Sequence, residues 1–234
     1  MTPSAAAKRR SEALREGTAR ARRARLAGLY VVLDPDIVGE RDIIQVAREA
    51  VAGGAAVLQL RDKKNDKGRQ LELSRALQRV AAEGHALFFV NDHVDVALLA
   101  GADGVHLGQR DIPVAEARRI LPRNVLIGAS TNNVAEAMRA KADGADYVSV
   151  GCLYPTRTKG DTRPATLDML RAVKQAAGLP VCAIGGVNAG NIAEVARAGA
   201  DMASVIRAVC AAPDVVAAAR LLASRFRQGR AGVS

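Results

Sequence analysis

From Leu29 onward, eight short apolar runs alternate with segments of helix length, and this alternation limits the architectures open to the chain. The runs are 29–33 (LYVVL), 55–60 (AAVLQL), 86–90 (ALFFV), 103–107 (DGVHL), 125–129 (VLIGA), 146–150 (DYVSV), 180–184 (PVCAI) and 201–206 (DMASVI). Runs that are apolar on both faces suit strands of a parallel sheet covered by helices. Within 69–82, Leu71, Leu73, Leu77 and Val80 recur on one side of a predicted helix, with charges opposite. Eight such units in 234 residues predict an α/β single domain over 29–228, a closed (β/α)8 TIM barrel rather than an open sheet.

A weak internal repeat agrees. Gly101-Ala102-Asp103, Gly144-Ala145-Asp146 and Gly199-Ala200-Asp201 each close a helix and begin a strand. Glycine suits the left-handed residue that ends a helix, so these short turns form the barrel's lower rim. The opposite connections are polar: QLRDK, ND, GQRD, GAST, PTRTK and GG follow runs two to seven. In barrel enzymes the active site is built from those loops, at the carboxyl ends of the strands.

Composition narrows the function classes. Tryptophan is absent and aromatics are few, which predicts an aliphatic core. No apolar run approaches the ~20 residues needed to span a bilayer, so no membrane role is expected. Of the net charge of +10, residues 1–28 supply +6, from eight basic residues and two acidic ones. The barrel itself is mildly basic, which suits anionic small substrates. The basic extension is expected to be a solvated helix or a frayed tail. Cys152, Cys182 and Cys210 form no C-x-x-C pair, so reduced thiols in a cytoplasmic protein are expected.

Several rim residues carry candidate chemistry. Alternation at a strand end puts Gln59, Arg61 and Lys63 on one side, an amide and two cations suited to a ring nitrogen and a polyphosphate. Asp92 and Asp111 each follow a strand closely enough to approach the mouth. Two carboxylates facing a diphosphate make an Mg2+ site, because Mg2+ takes one or two carboxylates, substrate phosphate and water. The competing reading is helix capping, by Asn91 or Asp92 before His93 and by Asp111 before Pro113. Ser130 and Thr131 are candidate caps before Val134, a geometry that phosphate binding shares. Thr156, Thr158 and Lys159 lie in the longest loop, about 151–165, which reads as a functional lid. Gly186 and the segment at Ile206 follow the last two strands, where barrels often bind phosphate through backbone N–H groups. Two anion subsites result, one assisted by metal and one not. His85 and His93 read as surface or capping residues, and His106 as a satisfied structural histidine.

These strings, in this order, resemble the thiamine-phosphate synthase family over about 29–210. The matching motifs are Q-L-R-x-K at Gln59–Lys63, N-D at Asn91–Asp92, G-V-H-L-G-Q-x-D at Gly104–Asp111, P-T-x-T-K at Pro155–Lys159 and A-I-G-G at Ala183–Gly186. The resemblance implies a transferase that joins a pyrimidine diphosphate to a thiazole phosphate, making thiamine phosphate and pyrophosphate. It implies that Gln59 holds the aminopyrimidine, and that Arg61, Lys63, Asn91, Ser130 and Lys159 hold the diphosphate. Arg61, Lys63, Ser130 and Lys159 would be catalytic, Asp92 and Asp111 would bind Mg2+, and Thr156 and Thr158 would border the thiazole phosphate. Gly186, Ile206 and Arg207 would receive that phosphate. Arg207 departs from the serine usual in the family, and Cys152, Tyr154 and Asp62 are further departures.

Two rivals stand beside this reading. A thiazole tautomerase of the same barrel type is expected to lack the paired aspartates and the T-x-T-K loop. An anion- or nucleic-acid-binding protein would use the basic extension, but that segment has no aromatic residue before Tyr30 for base stacking, which disfavours nucleic acid. A homo-oligomer is left open.

Overall fold

The computed structural model describes residues 16–156 and 163–232. Among them, eight strands close in sequence order into one parallel barrel. They are β1 (Gly28–Leu33), β2 (Ala55–Leu60), β3 (Leu87–Asn91), β4 (Gly104–Leu107), β5 (Leu126–Thr131), β6 (Tyr147–Val150), β7 (Val181–Ala183) and β8 (Met202–Val205). The apolar runs thus mark every strand, displaced by one or two residues at some ends. The helices are α1 (16–24), α2 (Pro35–Val38), α3 (Ile43–Ala52), α4 (Lys67–Glu83), α5 (Val94–Ala100) and α6 (Val114–Ile120). They continue as α7 (Val134–Ala142), α8 (Leu167–Ala177), α9 (Ile192–Arg197), α10 (Arg207–Cys210) and α11 (Val215–Ala231). Short polar side chains start several of them: Asp42, Asp66, Asn133, Thr166 and Asp214 each accept a backbone N–H of the first turn.

Strand alternation divides the core in two. Outward residues such as Val31, Leu58, Phe88, Val105, Ile127 and Val148 pack beneath the helices in a mainly aliphatic layer. The inward set is Tyr30, Val32, Val57, Leu87, Phe89, Leu126, Tyr147, Cys182 and Met202. The barrel interior is therefore not purely aliphatic: it takes three of the chain's six aromatic residues. Those rings need room. Gly128 pairs with Tyr147 across β5 and β6, and a Cβ there would stand 2.1 Å from the Tyr147 ring carbon Cζ. Only glycine leaves that space.

The Gly-Ala-Asp repeat has a second role beyond the turn. Each aspartate accepts the backbone N–H of the strand before it: Asp103 from Phe88 at 3.0 Å, Asp146 from Ile127 at 2.8 Å and Asp201 from Val181 at 2.8 Å. Each carboxylate also meets a cation. Arg118 reaches Asp146 at 2.6 Å, and Lys174 reaches Asp201 at 2.5 Å. For Asp103 and again for Asp146 the cation comes from the N-terminal extension, as Arg22 and Arg23. Arg25 donates to the His85 carbonyl, and Leu26 enters the interior cluster. Residues 16–28, helical over 16–24 and mostly exposed, are nonetheless tied to the barrel. They fasten to the amino-terminal mouth, because buried carboxylates there require positive partners.

Candidate active site

Parallel strands place every βα connection at one rim, so the residues after β2, β3, β4 and β5 meet at one mouth. Gln59 is the last inward residue of β2, and its Nε2 is buried without a hydrogen-bond partner. A buried amide left unpaired costs about 1–3 kcal/mol, which makes it a group awaiting a partner. Arg61 follows the strand end, where Asp34, the N-cap of α2, receives its guanidinium. Asp62 turns the other way and accepts the N–H groups of Lys64 and Asn65, each at 3.0 Å, shaping the turn that presents Lys63.

Lys63 reaches across to Asp92 just past β3. Asp92 adopts φ +63°, a left-handed conformation uncommon outside glycine. Its N–H donates to the His106 carbonyl at 2.8 Å. Its side chain hydrogen-bonds Asp111, so the two candidate metal ligands meet. Burial works to raise Asp92, but the Asp111 hydrogen bond and the Lys63 ammonium outweigh it and hold the carboxyl below the usual aspartate range. Asp111 moves the opposite way, raised by burial and by the neighbouring Asp92. Two carboxyls in contact titrate apart because one proton or a cation between them relieves their repulsion. Asp111 also accepts the Gly108 N–H at 2.6 Å, which fixes its direction. Among the described residues, no group of three or more His, Cys, Asp or Glu could hold a metal. Two adjacent carboxyls are a donor set of the kind Mg2+ takes when phosphate and water supply the remaining oxygens, and are too few for a closed protein cage.

The capping alternatives are overturned. Asn91 belongs to β3, and the N-cap of α5 is His93, with no side-chain cap bond from it. Pro113 precedes α6, again without one, and Asp111 instead closes its own turn. Ser130 and Thr131 are strand residues of β5, and Asn133 caps α7. Ser130 therefore sits next to the last residue of β5 at the mouth, with its carbonyl held by the Gln109 amide. His106 is satisfied at both ring nitrogens, by Tyr147 Oη at 2.8 Å and Ser130 Oγ at 3.0 Å.

Thr158 and Lys159 lie outside the described residues; Thr156 lies at their edge. The two ends of that loop are tied together. Cys152 donates its N–H to the Arg163 carbonyl and accepts that of Ala165, both at 2.8 Å, while Arg163 forks onto Glu136 at 2.7 and 2.8 Å. Gly186 sits under the loop at φ +63°, where a Cβ would come within 2.7 Å of the Pro155 carbonyl. Asn188 and Asn191 both donate to the Gly186 carbonyl at 3.1 Å. Ile206 precedes α10 without a side-chain cap, and Arg207 opens that helix exposed. Tyr154 donates to Glu194 at 3.0 Å, and burial beside that carboxylate pushes the phenol up to about 12.

Asp34 as the partner of Arg61, and Tyr30 and Tyr147 behind His106, escaped the reading of the sequence. Asp34 follows β1 as Arg61 follows β2, so its rim position was a usable signal. The tyrosines gave none, because their contacts are with strands far away in the chain.

Cations, a carboxyl pair and an unpaired amide gathered at the carboxyl ends of a closed parallel barrel define a (β/α)8-barrel enzyme built for an anionic substrate. Known proteins narrow the class. The profile of the thiamine monophosphate synthase family matches residues 29–209. Thiamine-phosphate synthase of Methanoculleus marisnigri is 48% identical over 204 residues, 87% of this chain and 97% of that protein. The Methanocella arvoryzae protein of the same name is 46% identical, over 86% and 96%. A solved thiamine phosphate pyrophosphorylase from Pyrococcus furiosus superposes with a TM-score of 0.81 at 39% identity, covering 88% of this chain and 98% of that one. The chain belongs to the thiamine monophosphate synthase family.

Proposed function

We propose that the chain is an Mg2+-dependent transferase that joins an aminopyrimidine bearing a diphosphooxymethyl arm to a methylthiazole bearing a phosphoethyl arm, giving thiamine phosphate and pyrophosphate. The observation that carries this reading is the meeting of Lys63, Asp92 and Asp111 beside Arg61 at one mouth. Gln59 holds the aminopyrimidine, its unpaired Nε2 directed at a ring acceptor. Arg61, Lys63, Asn91, Ser130 and Lys159 grip the diphosphate. Mg2+ held by Asp92 and Asp111 would add positive charge to the departing diphosphate.

The bond from the pyrimidine's methylene carbon to the diphosphate oxygen breaks, and the electron-rich ring stabilises the cation left behind. The thiazole nitrogen closes on that carbon with its own lone pair, so no general base is needed. This agrees with a mouth where His106 has both nitrogens engaged. Rate enhancement rests on fixed charges placed where negative charge develops and on alignment of the two reactants. Thr156, Thr158, Gly186, Ile206 and Arg207 hold the thiazole phosphate, whose backbone donors tolerate arginine in place of serine.

The rivals are less well supported. The paired aspartates argue against a tautomerase. Arg22, Arg23 and Arg25 are bound to the barrel's own oxygens, which removes them from a nucleic-acid surface. No described helix is long and apolar enough to cross a membrane. A cytoplasmic enzyme on small substrates is the reading these facts favour, with assembly into a homo-oligomer left to direct measurement. Calorimetric titration with pyrophosphate tests the subsite. Binding that requires Mg2+ and weakens at least about tenfold in Asp92→Asn supports it, since one charged hydrogen bond is worth ~1.5–3 kcal/mol. Equal affinity with and without Mg2+ refutes it.

A further inference from the structure

Behind the mouth, an unbroken line of polar groups crosses the barrel interior. Tyr30 Oη lies 3.0 Å from Tyr147 Oη, Tyr147 Oη lies 2.8 Å from His106 Nδ1, and His106 Nε2 lies 3.0 Å from Ser130 Oγ. The four residues stand on β1, β6, β4 and β5. Tyr30 and Tyr147 are among the interior core residues, so water does not compete for their hydroxyls. Burial pushes both phenols well above their ordinary range, so each keeps its proton and the pair is neutral. The fit is tight: Phe89 meets Tyr147 edge-on at 5.5 Å, and Gly128 clears the space for its ring.

The direction of the line follows from its outer end. A diphosphate oxygen only accepts hydrogen bonds, so Ser130 Oγ must donate to it and must itself accept from behind. His106 is then protonated at Nε2 and accepts at Nδ1. Tyr147 donates to that nitrogen and accepts from Tyr30. Every donor in the line points toward the mouth, and hydrogen bonds in such a chain polarise one another.

We propose that Tyr30, Tyr147 and His106 are positioning residues that fix the His106 tautomer and turn the Ser130 hydroxyl into a donor for the leaving diphosphate. The proposal rests on the reading above that Ser130 meets the diphosphate. Its contribution belongs to kcat, because the Ser130 bond strengthens as charge builds on the departing oxygen.

A double-mutant cycle on the full-length protein tests it. Tyr147→Phe is expected to lower kcat about tenfold with KM for the pyrimidine diphosphate within about twofold, and Ser130→Ala to lower kcat further, the loss typical of one transition-state donor. If the line works through Ser130, Tyr147→Phe then costs less than about twofold in the Ser130→Ala background. Full additivity overturns the relay while leaving the diphosphate subsite standing. An unchanged kcat in Ser130→Ala overturns both. Tyr30→Phe, which leaves the Tyr147–His106 bond in place, guards against a folding defect. It should lower kcat about twofold to threefold with little change in melting temperature, as loss of one distal link predicts, and an unchanged kcat speaks against the relay. The tautomer is read directly from the 15N spectrum of histidine-labelled protein with Mg2+ and pyrophosphate, His106 being assigned by His106→Asn. An Nε2–H signal supports the proposal, and an Nδ1–H or imidazolium signal refutes it.

Discussion

Arg22→Ala should destabilise the barrel without touching its chemistry, and the size of the effect follows from its surroundings. Arg22 Nε meets Asp103 at 2.9 Å and its Nη1 donates to the Asn124 carbonyl at 2.6 Å. The two side chains are 22% and 10% exposed. Loss of one partner of a fully buried ion pair costs about 3–5 kcal/mol. Water reaches this pair in part, and Asp103 keeps the Phe88 N–H, so about 2 kcal/mol is expected after screening. For a domain of this size that corresponds to a fall in Tm of roughly 4–8 °C. Arg22 lies at the amino-terminal mouth, opposite the candidate site, so kcat and KM should hold at temperatures well below the transition. Differential scanning calorimetry measures the shift. Asp103→Asn in the Arg22→Ala background removes the uncompensated charge and should restore part of the loss. A Tm within about 1 °C of the parent refutes the claim that the extension neutralises a buried carboxylate, since about 2 kcal/mol would have moved it several degrees. A double variant that melts lower than Arg22→Ala refutes the electrostatic reasoning.

Asp34→Asn should weaken the hold on Arg61 and raise KM for the pyrimidine diphosphate about fivefold, measured by steady-state kinetics, consistent with one misplaced charged contact; an unchanged KM would show that Arg61 orients itself. The Glu136–Arg163 fork governs a pH response. The Arg163 guanidinium, together with the Asn132 N–H, holds Glu136 below its ordinary value against a smaller effect of burial. A depressed carboxyl stabilises the fold above its unfolded value of about 4.3 and loses that contribution as pH falls through the folded value. Proteolysis of the loop after β6 should therefore accelerate in acid below that range and not at neutral pH, and Glu136→Gln should remove the difference. Gly186→Ala should cut turnover more than it cuts pyrophosphate binding, because its Cβ would press on the Pro155 carbonyl beside the proposed thiazole-phosphate subsite.

How much could be read in advance depended on how far each partner lies along the chain. Strand order, closure and the rim on which the polar loops gather were legible, because apolar runs and polar loops are local signals. So was the meeting of Lys63, Asp92 and Asp111, which motif order placed at neighbouring strand ends. The capping alternatives could not be dismissed in advance, since Asp92 and Ser130 are chemically competent to cap and only backbone geometry distinguishes a strand-end residue from an N-cap. The aspartates of the repeat were read for their glycines alone; their bonds to Phe88, Ile127 and Val181 depend on strand neighbours that the sequence does not name. Arg22 pairs with Asp103, and Tyr30 with Tyr147 117 positions away, so neither could be seen from spacing.

In the proposed reaction, cationic side chains and Mg2+ held by the Asp92–Asp111 pair would draw off a diphosphate at one mouth. Supplying both substrates to the purified chain and counting thiamine phosphate against pyrophosphate tests this most directly. Equal yields that disappear with chelator, return with Mg2+ and collapse in Asp92→Ala are predicted. Thiamine phosphate formed without pyrophosphate, or turnover by Asp92→Ala under chelation equal to that of the parent, would contradict it.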